Sequence, residues 1–206
     1  MSADLILYSN PMSRGRIARW MLEEVGQPYT VHHMDFAALK DDAYLAINPM
    51  GKVPALKHGD ALVTECAAIC AYLAAAYPGA GLEPDCGTAA YADYLRWLFF
   101  AAGPVEAAVT AKALGLLAPP ERARMAGYGT FENVMDALEQ AVSGKTYIAG
   151  DRFSAADVYV GSQIGWGLQF KSIEDRPAFQ AYWAGLADRP AHKRATDLDN
   201  AAMPEQ

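Results

Sequence analysis

The stretch at residues 47–56, INPMGKVPAL, decides the fold because it places a proline at the start of a short apolar run. Pro54 cannot donate a hydrogen bond to a neighbouring strand, so it is unsuited to the middle of a sheet but suits the first residue of a strand. Only about 5–6% of X–Pro bonds in folded proteins are cis. The Val53–Pro54 bond is a candidate for the cis form, which therefore needs a reason such as the presentation of a backbone edge to a bound peptide.

Strand and helix patterns alternate on both sides of this stretch, from the N-terminus to about residue 80. Apolar residues at helical spacing in SRGRIARWMLEEVG end at Gly26, and two apolar runs flank Gly59–Asp60, a pair suited to a tight turn. The remaining segments, in chain order, are LILYS, YTVHHMDF, ALKDDAYLAI and ECAAICAYLAAAYPG. The pattern predicts the order β-α-β-α-β-β-α, a small mixed sheet covered by helices.

Strand signals nearly vanish after the Gly- and Pro-rich stretch at residues 78–87, PGAGLEPDCG. Apolar residues recur at helical spacing, and Ser154 precedes Asp157 by three residues, the spacing of a capping box. The apolar stripes comprise Tyr91, Tyr94, Leu95, Leu98 and Phe99; Phe131, Val134, Met135 and Leu138; and Phe179, Tyr182, Trp183 and Leu186. We therefore predict two domains, an α/β domain at residues 1–80 and an all-helical domain at residues 88–206.

Composition excludes several classes of protein. The 206 residues carry a net charge of −7, which argues against a nucleic-acid binder because affinity for phosphate comes from Lys and Arg. No run approaches the roughly 20 apolar residues that a membrane span needs. The N-terminus lacks the basic and apolar regions of a signal peptide, and the three cysteines have no framework spacing. These features predict a cytoplasmic protein.

A metal site is not expected from this sequence. The four histidines are scattered without the spacing of ligands. Cys66 and Cys70 lie four residues apart on one helix face, but two cysteines alone make a poor metal site. We interpret Cys70 as a small apolar residue of the core.

Four motifs in register make the chain resemble the cytosolic glutathione transferases: YSNPMSRGR, NPMGKVPAL, TECAAICAYL and FSAADVYVG. The resemblance spans nearly the whole chain. It implies a thioredoxin-like N-terminal domain, an all-α C-terminal domain, a homodimer, and glutathione as the co-substrate. In that fold the proline of the Val-Pro pair is cis.

The resemblance also implies where glutathione binds. Val53, held by Pro54, would pair its N–H and C=O with the cysteinyl part of glutathione as an antiparallel strand does. Glu65 would accept from the γ-glutamyl ammonium at a helix N-terminus, which also favours the nearby carboxylate. The family has Ser or Thr after this acidic residue, whereas Cys66 is only a weak donor. Lys52 either meets a glutathione carboxylate or is simply solvated.

Thiol activation is expected just after the first strand. A thiol with a pKa of about 8.5 is mostly protonated at neutral pH, so a hydroxyl donor at a helix N-terminus, with Arg14 and Arg16 nearby, would favour the thiolate. Ser13 is the preferred donor, although it could serve only as an N-cap. Ser9 is the second candidate, and Tyr8 a third that core packing explains better. The loop has no cysteine, which counts against the classes of the family that use one.

The second-substrate pocket is expected to involve Met12, Arg16, Trp97, Phe100 and Val105, although aromatic stripes at helical spacing more often belong to a core. The predicted activity is conjugation of glutathione to small electrophiles, with peroxide reduction as a further activity. The alternative is a non-catalytic glutathione-binding or interaction module of the same fold. A glutathione-dependent lyase or isomerase is a third reading that no residue tests.

Overall fold

The computed structural model describes residues 5–203, which form two compact units. The first unit combines the described residues up to Gly81 with those from Arg189 onward, and the second spans Leu82–Asp188.

The first unit is a four-stranded mixed sheet with helices, and it confirms the predicted order β-α-β-α-β-β-α. Its elements are β1 Leu5–Ser9, α1 Gly15–Val25, β2 Thr30–His33, α2 Asp42–Leu45, β3 Ala55–His58, β4 Ala61–Thr64 and α3 Cys66–Ala76. The strands lie in the order β2-β1-β3-β4. β1 is parallel to β2 and antiparallel to β3, and β3 is antiparallel to β4. This arrangement is the predicted thioredoxin-like fold.

Local sequence explains where these elements begin and end. Leu5 and Leu7 of β1 are buried and alternate with partly exposed residues, because successive side chains of a strand point to opposite faces. α1 ends at Gly26, whose φ of 71° is left-handed and therefore suits a residue without a Cβ. Gly59, with φ 59°, allows the two-residue turn between β3 and β4.

The second unit is all-helical, as predicted. Its helices are α4 Ala89–Phe100, α5 Glu106–Ala113, α6 Phe131–Val142, α7 Ala155–Gln169 and α8 Pro177–Ala187. A π-helical segment, Ala101–Val105, joins α4 to α5 and contains Pro104, which has no N–H for a regular helical hydrogen bond. The predicted capping box is present at the start of α7, where Ser154 and Asp157 exchange side-chain-to-backbone hydrogen bonds.

The last helix, α9 Pro190–Ala201, belongs to the first unit rather than to the helical one. It packs on α1 through a buried ion pair between Arg19 and Asp199, with Nε and Oδ1 2.8 Å apart. The prediction of one helical domain at residues 88–206 thus differs from the observed units for the segment from Arg189 onward. Nothing in the sequence indicates that the chain returns to the first unit.

Of the helices within residues 5–203, none combines the length and the apolar character needed to cross a membrane.

Candidate active site

The sheet register brings three chain segments to the same end of the sheet. Tyr8 pairs with Ala55, and Ala55 pairs with Thr64. The chain leaves β1, enters β3 and leaves β4 at this end, because neighbouring antiparallel strands run in opposite directions. The turn after Ser9, the Val53–Pro54 pair and Glu65 therefore lie together, as the motifs predict.

The turn between β1 and α1, residues 10–14, is held by side chains as well as by its own backbone. Asn10 donates through Nδ2 to the carbonyl of Met34 and accepts at Oδ1 from the N–H of Met12, both at 2.8 Å. Arg16 Nε donates to the carbonyl of Pro11. Asn10 is buried, so its hydrogen bonds fix the turn on the side that faces the protein interior.

Ser13 lies at the end of this turn, two residues before α1, and is half-buried. Its Oγ donates to the carbonyl of Asn10 at 2.7 Å and accepts from the N–H of Gly15 at 3.0 Å. The N–H of Ser13 donates to that same carbonyl at 3.1 Å. The Asn10 carbonyl would therefore remain paired if the Ser13 hydroxyl turned to another acceptor.

Ser9 occupies a different environment. It is fully buried, and its Oγ has no hydrogen-bond partner among the described residues. A Cβ built on Gly15 would lie 1.9 Å from this Oγ, so the start of α1 sits directly on Ser9. A ligand could contact the Ser9 hydroxyl only if α1 moved, which separates the two candidate serines.

The Val53–Pro54 bond is cis, as predicted. The segment that leads into it is fixed by the carbonyl of Lys52, which accepts from Tyr44 Oη at 2.7 Å and from Asn48 Nδ2 at 2.8 Å. Burial is the main reason that the pKa of Tyr44 rises to about 12, so its phenol remains a donor at neutral pH. Lys52 is exposed and Val53 is half-buried, so the segment borders solvent.

Glu65 and Cys66 stand at the N-terminus of α3. Glu65 is exposed and has φ 64° and ψ 118°, a combination that an L-residue with a side chain rarely adopts. Cys66 is buried, and its Sγ lies 3.5 Å from the carbonyl of Arg14, to which the thiol donates. This contact joins α3 to the turn that carries Ser13.

The residues expected for a second substrate fall in both units. In the first unit, Met12 is 55% exposed on the turn and Arg16 is half-buried. In the second unit, Trp97 and Val105 are buried, and the Trp97 ring packs edge-on against Phe100 with centroids 5.5 Å apart. The burial of Trp97 and Val105 is that of core residues, the alternative that the helical spacing already favoured.

Three residues that hold these loops in place were not among the predicted site residues. Asn10, Tyr44 and Asn48 make the hydrogen bonds that fix the two loops. The dipeptides Asn10–Pro11 and Asn48–Pro49 are recognisable turn signals, and they could have identified both asparagines. Tyr44 had no such signal. Within residues 5–203, no group of three or more His, Cys, Asp or Glu side chains could hold a metal ion.

Comparison with protein families gives two matches that together cover most of the chain. The profile described as "Glutathione S-transferase, N-terminal domain" matches residues 3–75. The profile described as "Glutathione S-transferase, C-terminal domain" matches residues 90–190.

Individual relatives agree with these profiles. The chain is 30% identical to glutathione S-transferase 1 of Zea mays over 86% of its own length and 88% of the relative. It is 27% identical to glutathione S-transferase GstA of Escherichia coli O157:H7 over 89% and 93%. Among solved structures, a sphingomonad glutathione S-transferase complexed with glutathione is 30% identical, with a TM-score of 0.75 and coverage of 95% and 98%. A glutathione transferase from Methylococcus capsulatus is 28% identical, with a TM-score of 0.78 and coverage of 96% and 99%.

Proposed function

The chain belongs to the glutathione S-transferase family and is a glutathione transferase, and we propose that Ser13 activates the glutathione thiol for attack on a small electrophile. A serine at this position makes it a serine-using member of the family. Glutathione is the co-substrate, and the reaction needs no metal.

Glutathione lies across the end of the sheet at which β1 and β4 finish and β3 begins. Its cysteinyl backbone pairs with the N–H and C=O of Val53, and no described residue bonds either group. Its γ-glutamyl carboxylate meets the N–H groups at the start of α3, and its ammonium donates to Glu65. The Cys66 thiol is a weak donor that already donates to the Arg14 carbonyl, so the backbone of α3 carries most of the contact with the carboxylate. The exposed Lys52 borders the site and is available to a second carboxylate.

This placement directs the thiol toward Ser13. The hydroxyl donates to the sulfur and stabilises the thiolate, which is the reactive form. The thiolate attacks the electrophilic carbon and forms a C–S bond. The electron pair passes to the leaving group, or to the acceptor atom that is then protonated from solvent, and the thiol proton goes to solvent before attack.

The observation that carries the proposal is the double hydrogen bonding of the Asn10 carbonyl. It accepts from both the N–H and the Oγ of Ser13, so the hydroxyl can turn to a thiolate without leaving a buried carbonyl unpaired. The N–H of Gly15 continues to donate to Ser13 Oγ. That bond polarises the hydroxyl and makes it a better donor.

The test is the pH dependence of the thiolate absorbance of bound glutathione in wild type and Ser13→Ala. A hydrogen bond to a charged acceptor is worth about 1.5–3 kcal/mol, so we expect the pKa of the bound thiol to rise by about a unit or more. Turnover at neutral pH should fall and partly recover at high pH, while glutathione affinity changes less. An unshifted curve in Ser13→Ala would assign activation to backbone N–H groups or arginines. A wild type with no lowered thiol pKa would favour a non-catalytic binding module.

The same family membership supports assembly as a homodimer and a cytoplasmic location. The partners are then glutathione, a small electrophile and a second copy of the chain.

A further inference from the structure

We propose that Arg16, held by Asn200 on the last helix, is a positioning residue that fixes the turn carrying Ser13. The inference rests on the proposed function of Ser13 and goes beyond it, because it gives the C-terminal helix a part in thiol activation.

The geometry joins three segments through one side chain. Arg16 Nε donates to the carbonyl of Pro11 at 2.5 Å, and its Nη2 donates to Asn200 Oδ1 at 2.8 Å. Pro11 lies inside the turn at residues 10–14, and Asn200 lies in the last turn of α9. The guanidinium therefore ties the turn to a helix 184 residues away in the sequence.

A neighbouring contact keeps α9 in register for this task. Asp199 precedes Asn200 and forms the buried ion pair with Arg19, one helical turn beyond Arg16 on α1. The pair of Arg19 and Asp199 fixes the position of α9 along α1. Asn200, the next residue, can then hold Arg16 where it contacts the turn. The planar guanidinium suits this role because it directs donors from Nε and Nη2 toward separate acceptors, whereas the ammonium of Lys is a single point.

Arg16 also carries a charge near the expected position of the sulfur, so a purely electrostatic role predicts different behaviour. If only the charge matters, Arg16→Lys keeps the effect and Asn200→Ala changes nothing. If positioning matters, Arg16→Lys loses the pair of hydrogen bonds to Pro11 and Asn200 although it keeps the charge. Asn200→Ala loses one of the two. Asn200→Asp retains an acceptor for Arg16 and should behave like the wild type.

The experiment measures kcat and KM for glutathione, together with the thiolate absorbance of bound glutathione against pH. The proteins are wild type, Arg16→Lys, Asn200→Ala, Asn200→Asp, and the control Asp197→Ala, which changes an exposed residue of the same helix. We expect Arg16→Lys and Asn200→Ala to raise the thiol pKa by about half a unit, equivalent to about threefold less thiolate at a pH well below that pKa. Their kcat should fall at neutral pH with KM changed less than about twofold, as expected when ground-state binding is retained.

The outcomes separate this inference from the proposed function. If the wild type lowers the thiol pKa, Ser13→Ala raises it, and both Arg16→Lys and Asn200→Ala leave it unchanged, the positioning role is wrong and Ser13 stands. A loss in Arg16→Lys with no loss in Asn200→Ala would also overturn the part given to α9. Thermal melting of each variant separates positioning from destabilisation, because a variant that only unfolds more easily keeps its thiol pKa in the folded fraction.

Discussion

Glu65 combines two roles that a pair of substitutions can separate. Its φ of 64° is costly for any residue with a Cβ, by about 1–3 kcal/mol, and glycine is the residue that bears such a conformation best. The strain falls on the residue to which we assign the γ-glutamyl ammonium. Conformation and recognition therefore conflict at this position, and the chain retains the carboxylate.

We expect Glu65→Ala and Glu65→Gly to weaken glutathione binding alike, by about tenfold or more, because each removes a charged hydrogen bond. Glu65→Gly should have a free energy of unfolding about 1 kcal/mol higher than that of Glu65→Ala, since relief of strain exceeds the entropic cost of glycine. It should therefore unfold at a higher denaturant concentration. Calorimetric titration and urea unfolding measure the two effects. Cys66→Ser is the matched control and should keep or tighten binding. Unchanged affinity in both Glu65 variants would remove the γ-glutamyl end from this helix.

At the scale of elements, the close approach of α1 to β1 fixes where the turn with Ser13 begins. A Cβ on Gly15 would meet Ser9 Oγ at 1.9 Å and Ser9 Cβ at 3.0 Å. Both residues are buried, so neither can move aside into solvent. The absence of a side chain at Gly15 is thus a packing requirement of the helix on the strand.

Gly15→Ala should destabilise the protein by about 1–3 kcal/mol, the usual cost of overpacking a core. Ser9→Gly should relieve most of this cost in the double variant, because it removes the two Ser9 atoms, including the Oγ at 1.9 Å, and leaves only Ser13 Oγ, at 3.0 Å, as a close contact. Denaturant unfolding of the four proteins of this cycle gives the coupling energy directly. Gly26→Ala is not a suitable control because Gly26 has positive φ. Gly185→Ala, inside α8, meets no atom within 4 Å and should not destabilise the protein, because alanine favours a helix over glycine. Additive effects of Gly15→Ala and Ser9→Gly would contradict the contact.

The elements of the first unit were predictable from the sequence because their signals are local. Gly26 ends α1 and Gly59 forms the hairpin turn because each has a positive φ, a property of that residue alone. The roles of Asn10 and Arg16 were not visible, since each depends on partners 24 and 184 residues away. The burial of Ser9 under α1 was not visible either, because the packing of a helix over a residue leaves no trace in residue spacing. Local chemistry thus predicted the turns and the cis bond but not the contacts that hold them in place.

At the scale of the whole molecule, the proposed homodimer is tested by mass. Exposed apolar side chains on both units, including Met50 at 62% and Phe99 at 73%, leave surface that a second copy could cover. Sedimentation equilibrium at micromolar concentration should give twice the 22.2 kDa of the chain. High salt should leave the mass unchanged if the interface is mainly apolar, because salt screens only charge pairs. A mass of one chain at these concentrations would contradict the dimer.

α9 packs on α1 across an ion pair whose charges are only partly satisfied. The side chains of Arg19 and Asp199 are 5% and 1% exposed. Arg19 Nη2 and Asp199 Oδ2 are buried without a hydrogen-bond partner among the described residues. Burial raises the pKa of the Asp199 carboxyl, although Arg19 and Arg16 act in the opposite direction. The desolvation of the pair therefore outweighs much of its attraction.

This balance predicts opposite results for single and double substitutions. Asp199→Leu or Arg19→Met alone should cost about 3–5 kcal/mol, because each leaves one buried charge unpaired. The double variant Arg19→Met/Asp199→Leu should recover most of that loss, since no charge then remains to be desolvated. Arg194→Met is the control: its pair with Glu23 is 54% exposed at Arg194, and such pairs contribute at most about 1 kcal/mol. Urea unfolding provides the comparison. A double variant as unstable as the sum of the single ones would mean that the pair's hydrogen bonds, rather than its unpaired charges, hold α9 on α1.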